Sequence, residues 1–94
     1  MILATREEFA RMYQRLDTSE QILVSKSLEN LEKALQPMGK PLRGGLANAR
    51  SIRTGHNSRL RIVYQPIGEV ADLVAVGPRE GSVVYIIALE IISS

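Results

Sequence analysis

The 94-residue chain has no cysteine, no tryptophan, one phenylalanine (Phe9) and one histidine (His56). Without cysteine there is no disulfide and no thiolate chemistry, and a cytosolic setting fits. A lone histidine without cysteine partners argues against a metal site. Scarce aromatic residues argue against an RNA module that stacks bases on rings, such as an RRM or an OB-fold. No apolar run reaches the length of a membrane span. The opening MILATREEF lacks the charged start and apolar stretch of a secretory signal, so a cytoplasmic protein with no membrane partner is expected. One further absence concerns a single sign of charge. Between Lys33 and Glu69 there is no Asp or Glu.

That acid-free stretch holds Lys40, Arg43, Arg50, Arg53, Arg59 and Arg61, a segregation hidden by the net charge of +2. Gathered on one face, these side chains form a positive patch suited to phosphate. Most are arginines, whose planar fork pairs with phosphate oxygens. The plain alternative is a solvated, charged hairpin. Length and apolar fraction predict one globular domain over residues 1–94, with a core large enough to stand alone.

The first third reads as a helical hairpin. Thr5 with Glu8, and Thr18 with Gln21, have capping-box spacing. Phe9, Met12, Tyr13 and Leu16 make one apolar stripe, and Val24, Leu28, Leu31 and Leu35 a second; both read as core. Pro37, Gly39 and Pro41 end the helical half. The period then changes to two. Leu60, Ile62 and Tyr64 alternate with Arg59, Arg61, Val63 and Gln65 as in a half-buried strand. Residues 47–54 are its expected partner across a turn at Gly55–Ser58. Pro66 and Gly68 mark another turn, and Val70–Val76 reads as a central strand. The tail Ser82–Ile92 favours a strand by β-branched content, yet its length and position also permit a helix.

Two helices followed by three strands predict an α+β fold: a helical hairpin packed on one face of a small antiparallel β-sheet, the other face partly open. If Ile52 and Ile62 face the helices, Ser51, Arg53 and Arg61 face the open side. Arg50 has the wrong parity for that face unless a bulge intervenes.

The order of motifs is Lys40-Pro41-Leu42-Arg43-Gly44-Gly45-Leu46, Ser51-Ile52-Arg53, Arg61-Ile62-Val63-Tyr64-Gln65, Val76-Gly77-Pro78-Arg79-Glu80, then Tyr85. In this order and spacing the chain resembles the RelE/ParE toxin superfamily, and within it the RelE-type mRNA interferases, from Thr5 to Ile92. The resemblance implies an edge strand before the first helix, for which only Met1–Ala4 are available, and a short C-terminal helix in the ambiguous tail. It implies the toxin of a type II toxin–antitoxin module, a ribosome-dependent endoribonuclease that cuts mRNA without a metal or other cofactor. The implied partners are a small acidic antitoxin, the ribosome and mRNA. The implied chemistry is attack by a ribose 2′-hydroxyl on the adjacent phosphate, with a base, charge stabilisation at the phosphorane and an acid for the 5′-oxygen.

By the same resemblance Tyr85 is the base. A phenol is a poor base unless nearby cations favour its ionised form, and without the resemblance Tyr85 reads as a core aromatic. Arg61 is assigned to the scissile phosphate, against the plain reading of an exposed strand residue. Arg79 stabilises phosphate or leaving group, against an ordinary loop charge beside Glu80. Arg53 matches one of two basic positions that alternate on the family's strand. The other, commonly lysine, is here Ser51, or is taken over by Arg50 through a shift. Lys40, Arg43, Arg50, Ser51 and Arg59 are expected to hold RNA phosphates. The missing lysine leaves the proton donor open, with His56 in the hairpin turn as one substitute. Two rival functions stand: a ParE-like DNA gyrase inhibitor, and a catalytically degenerate module that binds antitoxin or nucleic acid. ParE-like chains generally lack the arginine–tyrosine constellation, so Arg79 with Tyr85 favours the nuclease.

Overall fold

In the computed structural model, which describes residues 1–94, the apolar-rich opening forms an edge strand, β1 (Ile2–Thr5), before helix α1 (Glu7–Gln14). Thr5 is therefore strand, and the expected Thr5–Glu8 capping box is not formed: Arg6 occupies the N-cap without a side-chain bond. Arg6 is held instead by a two-pronged pair with Asp72, at 3.0 Å and 2.9 Å. Helix α2 (Thr18–Lys33) starts on a complete capping box one residue earlier than expected, Asp17 with Glu20. The Glu20 N–H donates to Asp17 Oδ1 at 2.8 Å, and this bond, foremost, holds the Asp17 carboxyl below the usual carboxylate range. The cap therefore loses strength as acid protonates Asp17. The α2 stripe buries Val24 and Leu31, with Leu28 packed beside them. Leu35, expected in that stripe, lies beyond the helix and is fully exposed, because the chain turns extended at Ala34.

Four more strands follow: β2 (Lys40–Pro41), β3 (Arg50–Thr54), β4 (Leu60–Ile67) and β5 (Val70–Pro78). The sheet order is β1-β5-β4-β3-β2. Strands β2 to β5 pair antiparallel, and β1 adds in parallel to β5. Strand β3 begins at Arg50 rather than near residue 47, since Gly44–Leu46 and the two residues after it form tight turns. Pro66 does not end β4; it sits within the strand, and the turn falls at Gly68 and Glu69.

One sheet face carries Ile52, Leu60, Ile62, Tyr64, Leu73 and Val76 against Phe9, Val24 and Leu31 of the helical hairpin. The opposite face is not simply open. The tail forms helix α3 (Val83–Ser93), whose Val84 and Ala88 pack with Val63, Val74, Ala75 and Ala49 into a second core. Local β propensity loses here because an apolar helix can cover what a sixth strand could not. A register shift beside Val63 and Tyr64 lets Val74 and Ala75 both meet this second core. The bulge is in β5, not β3, so the parity of Arg50 is unchanged.

Tyr64 is fully buried and its hydroxyl donates to the Met38 carbonyl at 2.5 Å, tying the α2–β2 connection to the sheet. Burial pushes this phenol up, against an opposing pull from Arg50. The neutral form is the folded form. Its contribution is complete below the ordinary tyrosine value and is lost as pH rises through the raised folded value. Tyr64→Phe is expected to lower unfolding free energy at neutral pH by about 1 kcal/mol. Urea titrations above about pH 10 should show a smaller alkaline loss for the variant than for the native chain.

Candidate active site

The β3–β4 register sets Arg53 directly opposite Arg61, and the β2–β3 register sets Lys40 opposite Ser51. Facing residues of an antiparallel pair project to the same side. All four therefore share the α3 face. Like charges placed opposite each other destabilise a sheet. No carboxylate relieves that repulsion: the chain's ion pairs are Arg6–Asp72 and Arg11–Glu7, both outside this cluster.

These side chains line a cleft of about 440 Å³ with Pro41, Leu42, Arg43 and Tyr85. The lining contains no carboxylate. Tyr85 enters from the first turn of α3, half-buried, and its hydroxyl meets Ser51 Oγ at 3.0 Å. Ser51 is itself buried, at 6% exposure. Lys40, Arg43 and Arg53 are exposed at the mouth. Gly39, at φ +87°, lets the chain pass against β3; a Cβ there would strike the Ser51 carbonyl. This close approach, open to glycine in the left-handed region, delivers Lys40 to the cleft.

Arg61 departs from the exposed strand residue that its alternation suggested, with 9% exposure. Its Nη1 donates to the carbonyls of Leu60, at 3.0 Å, and Ser58. Nε and Nη2 make no hydrogen bond within the chain, so much of the fork is left for a ligand. Burial beside carbonyls, without a carboxylate, holds a rigid positive charge at the cleft floor. An oxyanion placed there would supply the missing counter-charge.

The other expected site residues are not in the cleft lining. Arg50 lies on the Tyr64 side by register, and its guanidinium donates to the carbonyls of Met38 at 3.1 Å and Gly39 at 2.6 Å. It holds the α2–β2 connection and also borders a separate cavity with Asn48 and Gln65. It does not replace the missing lysine, because no bulge turns it over. Arg59 and Arg79 are exposed and joined through their backbones, the Arg79 N–H donating to the Arg59 carbonyl at 2.9 Å. Since Arg61 pairs with Gly77, both sit at the strand ends near Arg61, as rim charges. His56 is exposed in the hairpin turn and lines no part of the cleft. Two wall residues, Pro41 and Leu42, belong to a quoted motif but carried no site role in the sequence. A two-residue strand presents Pro41 and a single backbone bond to Ala49 holds Leu42, and neither leaves a periodic signal.

No family model matches the sequence, and no curated protein does. Solved structures do. A double arginine-to-alanine mutant of the E. coli toxin RelE in the free state is 26% identical. The alignment covers 95% of this chain and 94% of that one, with a TM-score of 0.76. The isolated E. coli RelE toxin is 25% identical over 95% of each chain, at a TM-score of 0.70. The same E. coli mutant in complex with a peptide of the antitoxin RelB is 26% identical over 90% of each chain, again at 0.70. From the edge strand through the helical hairpin and four-stranded antiparallel array to the C-terminal helix, this chain has the RelE-type toxin fold.

Proposed function

We propose that this chain is the toxin of a type II toxin–antitoxin module and an endoribonuclease that cuts mRNA on the ribosome in the cytoplasm. The observation that carries the reading is the cleft itself: Lys40, Arg43, Arg53 and Arg61 around the Tyr85–Ser51 hydroxyl pair, with no carboxylate among them. A cleft that concentrates uncompensated cations around a hydroxyl base is suited to a phosphodiester, whose charge rises on the way to the phosphorane. In this reading Tyr85 takes the 2′-hydroxyl proton. Arg61 and Arg53 hold the equatorial oxygens of the scissile phosphate. Arg43 holds a neighbouring phosphate, and the rim residues Arg59 and Arg79 extend the positive track beyond the cleft, Arg79 toward the leaving side. No step is assigned to a metal.

The antitoxin reading rests on the E. coli RelE complex with a RelB peptide, a protein of the same fold. A small acidic antitoxin complements the cations of the cleft mouth.

Expression of the chain without an antitoxin is expected to arrest translation, and primer extension on cellular messages should show new 5′ ends within coding regions. Intact messages accompanied by gyrase-linked DNA damage would turn the assignment to the ParE-like activity. Intact messages without growth arrest would leave a binding module.

A further inference from the structure

The phosphodiester reaction needs a proton for the 5′-oxygen, and the cleft restricts where that proton can come from. Its polar lining is Lys40, Arg43, Ser51, Arg53, Arg61 and Tyr85. Arginine does not give up a proton in water, because its delocalised guanidinium stays charged at every working pH. Tyr85 is committed to the opposite transfer, and Ser51 is a far weaker acid than an ammonium. His56 is outside the lining. Lys40 alone among these side chains carries an exchangeable proton on a charged nitrogen and still has a neutral form accessible in water.

Strand pairing explains why Lys40 is there. It is the residue opposite Ser51, at the start of β2, and projects to the same side as Ser51. Ser51 holds the strand position at which the family that the sequence resembles commonly carries a lysine. The ammonium is thus supplied from the neighbouring strand instead. Gly39 sets the approach of β2, and Arg50 fixes it from behind through the Met38 and Gly39 carbonyls. No carboxylate pairs with Lys40, so its proton is not engaged in an ion pair.

We infer that Lys40 is the general acid, donating a proton from Nζ to the departing 5′-oxygen. The inference rests on the endoribonuclease reading. In the step, the 2′-oxygen–phosphorus bond forms as the 2′-proton passes to the Tyr85 phenolate. The phosphorus–5′-oxygen bond breaks as that oxygen takes the Lys40 proton. The products are a 2′,3′-cyclic phosphate and a 5′-hydroxyl end, and exchange with water returns the Tyr85 phenol and the Lys40 amine to their starting forms.

The test is single-turnover cleavage of ribosome-bound message by the native chain, Lys40→Arg and Lys40→Gln. Arginine keeps the charge and cannot donate the proton. Both variants are expected to lose about 10²-fold or more, with Lys40→Arg retaining native binding to the programmed ribosome. A message whose scissile 5′-oxygen is replaced by sulfur has a leaving group that departs without protonation. On it, Lys40→Arg should cut at close to the native rate. Native rates for Lys40→Arg on the oxygen message overturn the inference while the nuclease reading stands. So does an equal defect on oxygen and sulfur messages, which would make Lys40 a phosphate-positioning charge. A native chain that cuts neither message overturns the nuclease reading, and the inference with it.

Discussion

Replacing Tyr85 by phenylalanine is expected to slow single-turnover cleavage of ribosome-bound message by roughly 10²–10⁴, the usual worth of a general base. Ribosome binding should be unchanged. The substitution keeps the ring, and with it the packing of α3 against Val63, Val74 and Ala75. A purely structural Tyr85 would therefore make the change silent in cleavage and nearly silent in stability. Ser51→Ala sharpens the test. The Ser51 hydroxyl is the one protein partner of the Tyr85 oxygen, at 3.0 Å. As donor or acceptor, it fixes where the Tyr85 oxygen and its proton point. Its loss should slow cleavage less than loss of the phenol, because the base itself remains. Equal rates for native and Tyr85→Phe on ribosome-bound message would remove Tyr85 from the chemistry.

Arg61 is expected to show the other large effect. Arg61→Lys retains a charge but loses the fork, and should lower cleavage by roughly 10²–10³, comparable to removal of one oxyanion donor. Arg61→Ala should abolish growth arrest altogether, but that variant carries a second consequence. It takes a donor from the Ser58 and Leu60 carbonyls at the β3–β4 turn, which is expected to cost about 1–3 kcal/mol of stability. Thermal melts of both variants separate the two effects. A folded Arg61→Lys protein that still arrests growth and cuts messages at the native rate would remove Arg61 from phosphate stabilisation. Arg79→Ala, which alters a rim residue, should act mainly by weakening message binding.

Much of the architecture follows from local pattern. The two apolar stripes place the helical hairpin because buried side chains at helical spacing must face one partner. Alternation in β4 separates Leu60, Ile62 and Tyr64 from Arg61 and Val63 because successive strand residues project to opposite faces. The same parity brought Ser51, Arg53 and Arg61 together, since antiparallel pairing preserves the face of each position. Element ends were less legible. Asp17 won the α2 cap over Thr18 because a carboxylate one residue earlier accepts the Glu20 N–H. Leu35 was lost from the stripe because the chain leaves the helix at Ala34. The C-terminal helix was read by resemblance rather than propensity, and its apolar content is satisfied by a sheet face that only the assembled strands create.

The amino-acid sequence by itself determined the acid-free basic stretch and the absence of thiol chemistry, which are matters of composition, and the helix–helix–strand order and the parity of the arginines, which depend on neighbours a few residues apart. Tertiary structure decided which further residues join Arg53 and Arg61 in the cleft and which stay out of it. Pairing of a two-residue strand brought Lys40 opposite Ser51, docking of α3 brought Tyr85 to the Ser51 hydroxyl, and an unbroken β3 left Arg50 on the far side. Those outcomes depend on contacts between residues distant in sequence, where register, a close glycine approach and the packing of a second core set the geometry. No local period encodes such contacts.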